Sequence, residues 1–158
     1  MQLALVVALL MVSRTPIFEV AEHAKSQRHA VLDEEGDVAY LYLTEPKVPR
    51  PEADVIAFST GRLLTESEAK KVAEQGAPPP LTIAAASKEA IVADAKASEF
   101  TFVWKPDGES VCLLHKGRPV AMIVRVGSTF TGYSRAIARE GSYGKPWSDE
   151  TFKAVFKK

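Results

Sequence analysis

The chain has 158 residues, 46% hydrophobic and 25% charged, with twenty acidic side chains balanced by twenty basic ones. One domain of this length buries about two thirds of the surface its unfolded chain exposes, so neither a metal nor a disulfide is needed to hold it together. Balanced charge speaks against general nucleic-acid binding, which relies on clustered Lys and Arg to displace counterions, and a lone cysteine, Cys112, forms no internal disulfide and suits a reducing compartment.

Leu3 to Val12 is an unbroken apolar run. It has the length of a signal-peptide core, yet no Lys or Arg precedes it and no small-x-small cleavage site follows before Arg14. A bilayer-crossing helix needs about 20 residues. The run is therefore expected as a buried helix or strand packed on a cytoplasmic domain. A signal or anchor, and a periplasmic location, is the alternative.

Ile17 to Ala24 predicts a strand. Arg28–Leu32 and Val38–Leu43 flank Asp33-Glu34-Glu35-Gly36-Asp37, which predicts a hairpin around an acidic turn. Val38, Tyr40 and Tyr42 share one face of the second arm and Ala39, Leu41 and Leu43 the other. With both faces apolar, that arm belongs in the middle of a sheet. Pro46, Pro49 and Pro51 interrupt the pattern, and Asp54–Ser59 follows as a short apolar strand or half-turn. Thr65-Glu66-Ser67-Glu68 is a capping box opening a helix from about Glu66 to Gln75, stopped by Gly76 and three prolines. The Ala-rich stretch Leu81–Ala97 is ambiguous; Ser87 could cap a helix through Ala97 with Ile91, Val92 and Ala95 turned inward.

Phe100, Phe102 and Trp104 alternate with Thr101 and Val103 up to the turn Pro106-Asp107-Gly108. Val111–Leu114, a turn at Lys116-Gly117-Arg118-Pro119, and Val120–Val126 complete a three-strand meander. A glycine-punctuated segment, Gly127–Gly144, leads to Ser148, which caps a short last helix begun by Asp149 and Glu150. Clustered strands predict one α+β domain: an antiparallel sheet of about five to seven strands with two or three short helices.

Catalytic patterns are sparse. No glycine-rich loop leads into a lysine and a helix, and His23, His29 and His115 lack the paired spacing of a zinc site. No cofactor or metal is expected. Cys112, between Val111 and Leu113, reads as a small core residue. The acidic turn is either solvated or a knob for a partner. Lys116, Arg118, Arg125, Arg135 and Arg139 either converge on a patch for a carboxylate-rich partner or stay dispersed as ordinary surface charge. Tyr133, Tyr143 and Trp147 either plug a core edge or anchor an interface.

Four phrases together resemble a small bacterial family of unknown function. They are Val31-Leu32-Asp33-Glu34-Glu35-Gly36-Asp37-Val38-Ala39-Tyr40-Leu41-Tyr42, the W-x-x-D-G turn Trp104–Gly108, the G-x-P turn Gly117-Arg118-Pro119, and the G-Y-x-R segment Gly132-Tyr133-Ser134-Arg135. The chain departs from the family pattern at Ser134, where that pattern has Cys, and at Arg125-Val126, where it has Asp-Phe. Small single-domain proteins of this kind resemble immunity proteins. The resemblance implies a non-catalytic antitoxin of interbacterial competition, for example against a type VI secretion effector, whose partner is a cognate protein toxin. The expected contact residues are Asp33, Glu34, Glu35 and Asp37 at the hairpin tip, with Lys116, Arg118, Tyr133 and Arg135. Two rivals stay open: a hydrolase or transferase using Asp107 or His115 beside Arg118, and a homodimer joined through the apolar N-terminus.

Overall fold

Strands that are apolar on both faces need something on each side of them, and the fold meets that need with two stacked sheets and a helix. The computed structural model describes residues 14–78 and 80–157; the apolar run expected to pack on the domain lies outside them. The first sheet is a meander of β1 (Phe18–Glu22), β2 (His29–Glu35), β3 (Val38–Thr44) and β4 (Pro51–Ser59), antiparallel throughout. The second runs β5 (Phe100–Trp104), β6 (Val111–His115), β7 (Arg118–Val126), β8 (Thr129–Ser134) and β9 (Lys145–Pro146), with β9 added parallel to β8. Helix α1 (Glu66–Glu74) follows the first sheet and α2 (Asp149–Phe156) ends the chain.

The α+β class is as expected, but the nine strands of the described residues form two layers where a single sheet of fewer strands was expected. The inner faces meet in one core. Leu32, Leu41, Leu43, Val55 and Phe58 from the first sheet pack with Phe100, Val111, Leu113 and Ile123 from the second. Phe58 and Phe100 stack at 5.2 Å. Alternation of apolar residues identifies strands but not which face meets which, so the layering was hidden.

The layers touch most closely where β8 crosses β4. A Cβ added to Gly132 would lie 2.6 Å from the Val55 Cβ and 2.9 Å from the Asp54 carbonyl oxygen, so only a residue without a side chain lets the strands approach this near. Beside it the Ser134 hydroxyl donates to the Ala57 carbonyl at 3.0 Å. A buried arginine ties the other corner. Arg28 donates to Glu109 (2.8 Å) and to the Thr44 carbonyl (2.9 Å), and its guanidinium lies 5.2 Å over the Phe130 ring.

The expected helix from Ser87 to Ala97 does not form. Residues 81–96 run as turns and isolated bridges, ending in a 3-10 turn at Ala97–Glu99. Their backbone groups bond to β4 and to the segment after β8: Ser59 N–H to the Ala90 carbonyl, Val92 N–H to the Ser59 carbonyl, and Ala138 N–H to the Ala85 carbonyl. Small residues Ala85, Ala90 and Ala95 lie buried against the core. These bonds cover the outer edge of β4, and that tertiary gain outweighs the helix preference of alanine.

Local signals hold elsewhere. Thr65 and Glu68 form the capping box of α1, with the Glu68 N–H donating to the Thr65 hydroxyl at 3.2 Å. Ser148 caps α2 by accepting from the Thr151 N–H at 3.1 Å. The glycine-punctuated segment yields β8, paired to β7 over six residues.

Candidate interaction face

The two sheets treat their outer faces differently. On the second, Cys112, Met122 and Val124 form a smaller core roofed by Trp147, Phe152, Val155 and Phe156. On the first, the outward side chains of β1, β2 and β3 include Phe18, Val20, Val31 and Tyr42, and Phe18 and Val20 are 62% and 46% exposed. With His29, Asp33 and the Pro49–Pro51 arm they line an open depression of about 480 Å³.

A second depression of about 350 Å³ opens on the same sheet below α1. Val38, Leu64, Val72 and Leu81 form its apolar walls, with Glu35 and Asp37 also lining it. Tyr40 lines one depression and Tyr42 the other, and their rings stack at 5.9 Å between them. The register places Asp33 opposite Tyr40 and Asp54 opposite Tyr42.

Burial, then Asp54, Asp33 and Glu35, pushes the Tyr42 hydroxyl up to about 12. Burial also raises Tyr40, with Tyr42, Glu35 and Asp54 adding to it, and burial raises the Asp54 carboxyl. Both tyrosines therefore remain protonated donors at neutral pH. At the far side of the face, His29 Nε2 lies 3.7 Å from Glu22, while its buried Nδ1 has no hydrogen-bond partner among the described residues. An apolar floor edged by carboxylates suits aliphatic stems that end in a positive head.

The expected acidic knob is divided. Strand β2 continues through Glu35, so the turn is only Gly36-Asp37, with Gly36 at a φ of +64°. The register through β2 and β3 continues unbroken to the Glu35–Val38 pair, and this carries the ladder through Asp33, Glu34 and Glu35. Asp33 and Glu35 face the outer depressions. Glu34 points the other way and is 8% exposed, bonded to Arg14, the Ile17 N–H (2.9 Å) and the Thr60 hydroxyl (3.0 Å). It serves the fold as an inward anchor. Asp37 sits at the turn, its carbonyl accepting from the Thr60 N–H.

The basic residues do not leave a bare positive patch. Lys116 pairs with Glu99 at 3.2 Å and Arg118 with Glu89 at 2.6 Å. Arg135 lies 4.5 Å over the Trp147 ring, donates to the Pro119 carbonyl at 2.6 Å and approaches Asp149 at 3.6 Å. Tyr133 packs with Trp147 in the smaller core. Bonding to Arg118 holds Glu89 below the usual carboxylate range, and bonding to the Trp147 ring N–H does the same for Asp149. These contacts interleave the charges.

Asp107 and His115 stand at opposite ends of β6. Asp107 belongs to the β5–β6 turn, where burial opposes but does not overcome the lowering by the Glu109 N–H and Lys105. His115 stacks on Phe100 at 4.6 Å, lies 3.4 Å from Glu99 and borders a cleft of about 80 Å³ with Arg118 and Arg135. Cys112 is fully buried, and burial pushes its thiol up to about 12 against the pull of Arg135. Among the described residues no group of three or more His, Cys, Asp and Glu is placed to hold a metal ion. No helix among them is long and apolar enough to cross a membrane.

The outer-face residues Phe18, Val20, Val31, Tyr42 and Asp54 escaped sequence reasoning as a site. The available signal was β1 itself, F-E-V-A-E, in which Phe18 and Val20 share one face. No protein-family model, curated protein or solved structure matches this chain.

Proposed function

We propose that the protein is a non-catalytic binding protein that neutralises a bacterial toxin in the manner of an immunity protein, in the cytoplasm, by covering the toxin's active site or substrate groove. The observation that carries this reading is the open outer face of the first sheet, set against the helix-covered face of the second. Leaving a Phe and a Val about half in water forgoes roughly 1 kcal/mol each of burial. A partner that covers Phe18, Val20 and Tyr42 recovers that free energy, and Asp33, Glu35 and Asp54 around them select a basic complement. The hairpin resemblance supplies the toxin as the kind of partner, and nucleic acid is a poor match for so acidic a face.

Binding of this kind excludes substrate by bulk, so the antitoxin needs no reacting group of its own. A rigid sheet suits the task, because little ordering entropy is lost when a preformed face docks. Calorimetric titration against the protein encoded next to its own gene tests the proposal. We expect one-to-one binding at sub-micromolar Kd and loss of the toxin's activity in the complex. Absence of heat and of inhibition at tens of micromolar protein would contradict it.

A further inference from the structure

We infer that the free edge of β1 receives an extended, basic segment of the partner as a fifth strand of the first sheet. The inference rests on the binding reading above and specifies how the partner is held. The Glu34 N–H donates to the Ile17 carbonyl and the His23 N–H to the Arg28 carbonyl. In an antiparallel ladder such bonded positions alternate, so Ile17, Glu19, Ala21 and His23 turn their backbone groups toward β2. Phe18, Val20 and Glu22 turn theirs outward.

The opposite edge of this sheet is closed. Ser59 bonds to Ala90 and Val92, and the Ile56 N–H donates to the Tyr143 carbonyl. Among the described residues β1 has no neighbour on its outer side. Natural sheets guard such edges with proline, bulges or inward charges, and of these β1 has only Glu19, opposite buried Leu32. β1 pairs with β2 over five consecutive residues without a bulge, contains no proline, and carries exposed Phe18 and Val20 on the groove side. It is a receptive edge.

Charge selects the occupant. Glu19 stands on one face of β1 and Glu22 on the other, and Asp33 lies opposite Phe18. A strand alternating apolar and basic residues would lay its apolar side chains against Phe18 and Val20 and direct its cations to Glu19 on the reverse face. Main-chain bonds then supply affinity and alternate side chains supply selectivity, as in other strand additions.

The probe is the capped peptide Lys-Val-Lys-Val-Lys-Val-Lys, titrated into the full chain labelled with 15N, with the Glu-for-Lys peptide as control. In the protein alone we expect rapid amide exchange at Phe18, Val20 and Glu22. The basic peptide should shift these amides saturably and slow their exchange at least tenfold, and the acidic one should not. Val20→Pro removes an outward N–H together with the valine side chain and breaks no bond to β2, so we expect an unchanged spectrum away from β1 and at least tenfold weaker peptide binding, with Val20→Ala, which keeps the N–H, weakened less. Phe18→Lys, at an exposed position, should weaken binding as much by removing the apolar surface that receives the peptide's valines. Wild-type affinity in both Val20→Pro and Phe18→Lys would overturn the inference. So would amides already protected in the protein alone, which would place the chain's own residues or a second copy on the edge. If both variants keep peptide affinity while Tyr42→Ala loses it, the edge fails and the binding face stands. If Tyr42→Ala also binds normally, both fail.

Discussion

Cys112 shows how neighbours decide what a side chain can do. Val111 and Leu113 point into the shared core, and Cys112 is thereby turned toward α2, where burial lifts its thiol to about 12. A thiol that stays protonated is neither nucleophile nor ready target for oxidation. We expect no reaction with a thiol-reactive disulfide reagent at pH 8 until denaturant unfolds the chain; rapid native labelling would contradict that burial. Arg28 is the opposite case, a buried cation with its carboxylate and carbonyl partners in place. Arg28→Ala strands those partners, and the loss of stability should be about 3 kcal/mol, read as a lower denaturant midpoint at unchanged slope.

Two glutamates contribute to the response to acid. Bonding to Arg62 holds Glu68 at about 2, and bonding to the Lys96 N–H does the same for Glu99, against an ordinary value of 4.5. A carboxylate with a depressed folded value stabilises the fold above its unfolded pKa, and the contribution is lost as pH falls toward the folded value. The Tm of the wild-type protein should therefore drop more steeply between pH 4.5 and 2 than that of the Glu68→Gln, Glu99→Gln double variant. Parallel curves would show that these pairs do not couple to folding.

Among the elements, those built from neighbours in the chain could be read from the sequence. The turns at Pro106-Asp107-Gly108 and Lys116-Gly117, the Thr65–Glu68 box and the Ser148 cap each close over a few residues. What depends on remote partners could not. Residues 81–96 avoid a helix because their bonds go to β4 and to the segment after β8. Gly132 is one of several glycines in its segment, and only β4 lying against it explains the need for one there. Gly132→Ala forces the two strands apart and should cost about 1–3 kcal/mol, measurable by equilibrium unfolding. A neutral substitution would mean that the sheets are not in such close contact.

For the molecule as a whole, the acidic hairpin was visible from sequence but its division between faces was not. The strand extends three residues into the expected turn, through Asp33, Glu34 and Glu35, and alternation then sends Glu34 inward and leaves Asp33 and Glu35 at the groove. The basic half of the expected contact set is occupied by Glu89, Glu99 and Asp149. The open apolar face of the first sheet, with its stacked tyrosines and flanking carboxylates, is left as the surface on which binding should depend. The most direct measurement is the Kd for the proposed toxin partner across two sets of variants. Tyr42→Ala and Asp54→Lys should each weaken binding at least tenfold, while Lys116→Ala and Arg118→Ala should stay within twofold of wild type. The reverse order, with the basic residues essential and the tyrosine face silent, would contradict the assignment.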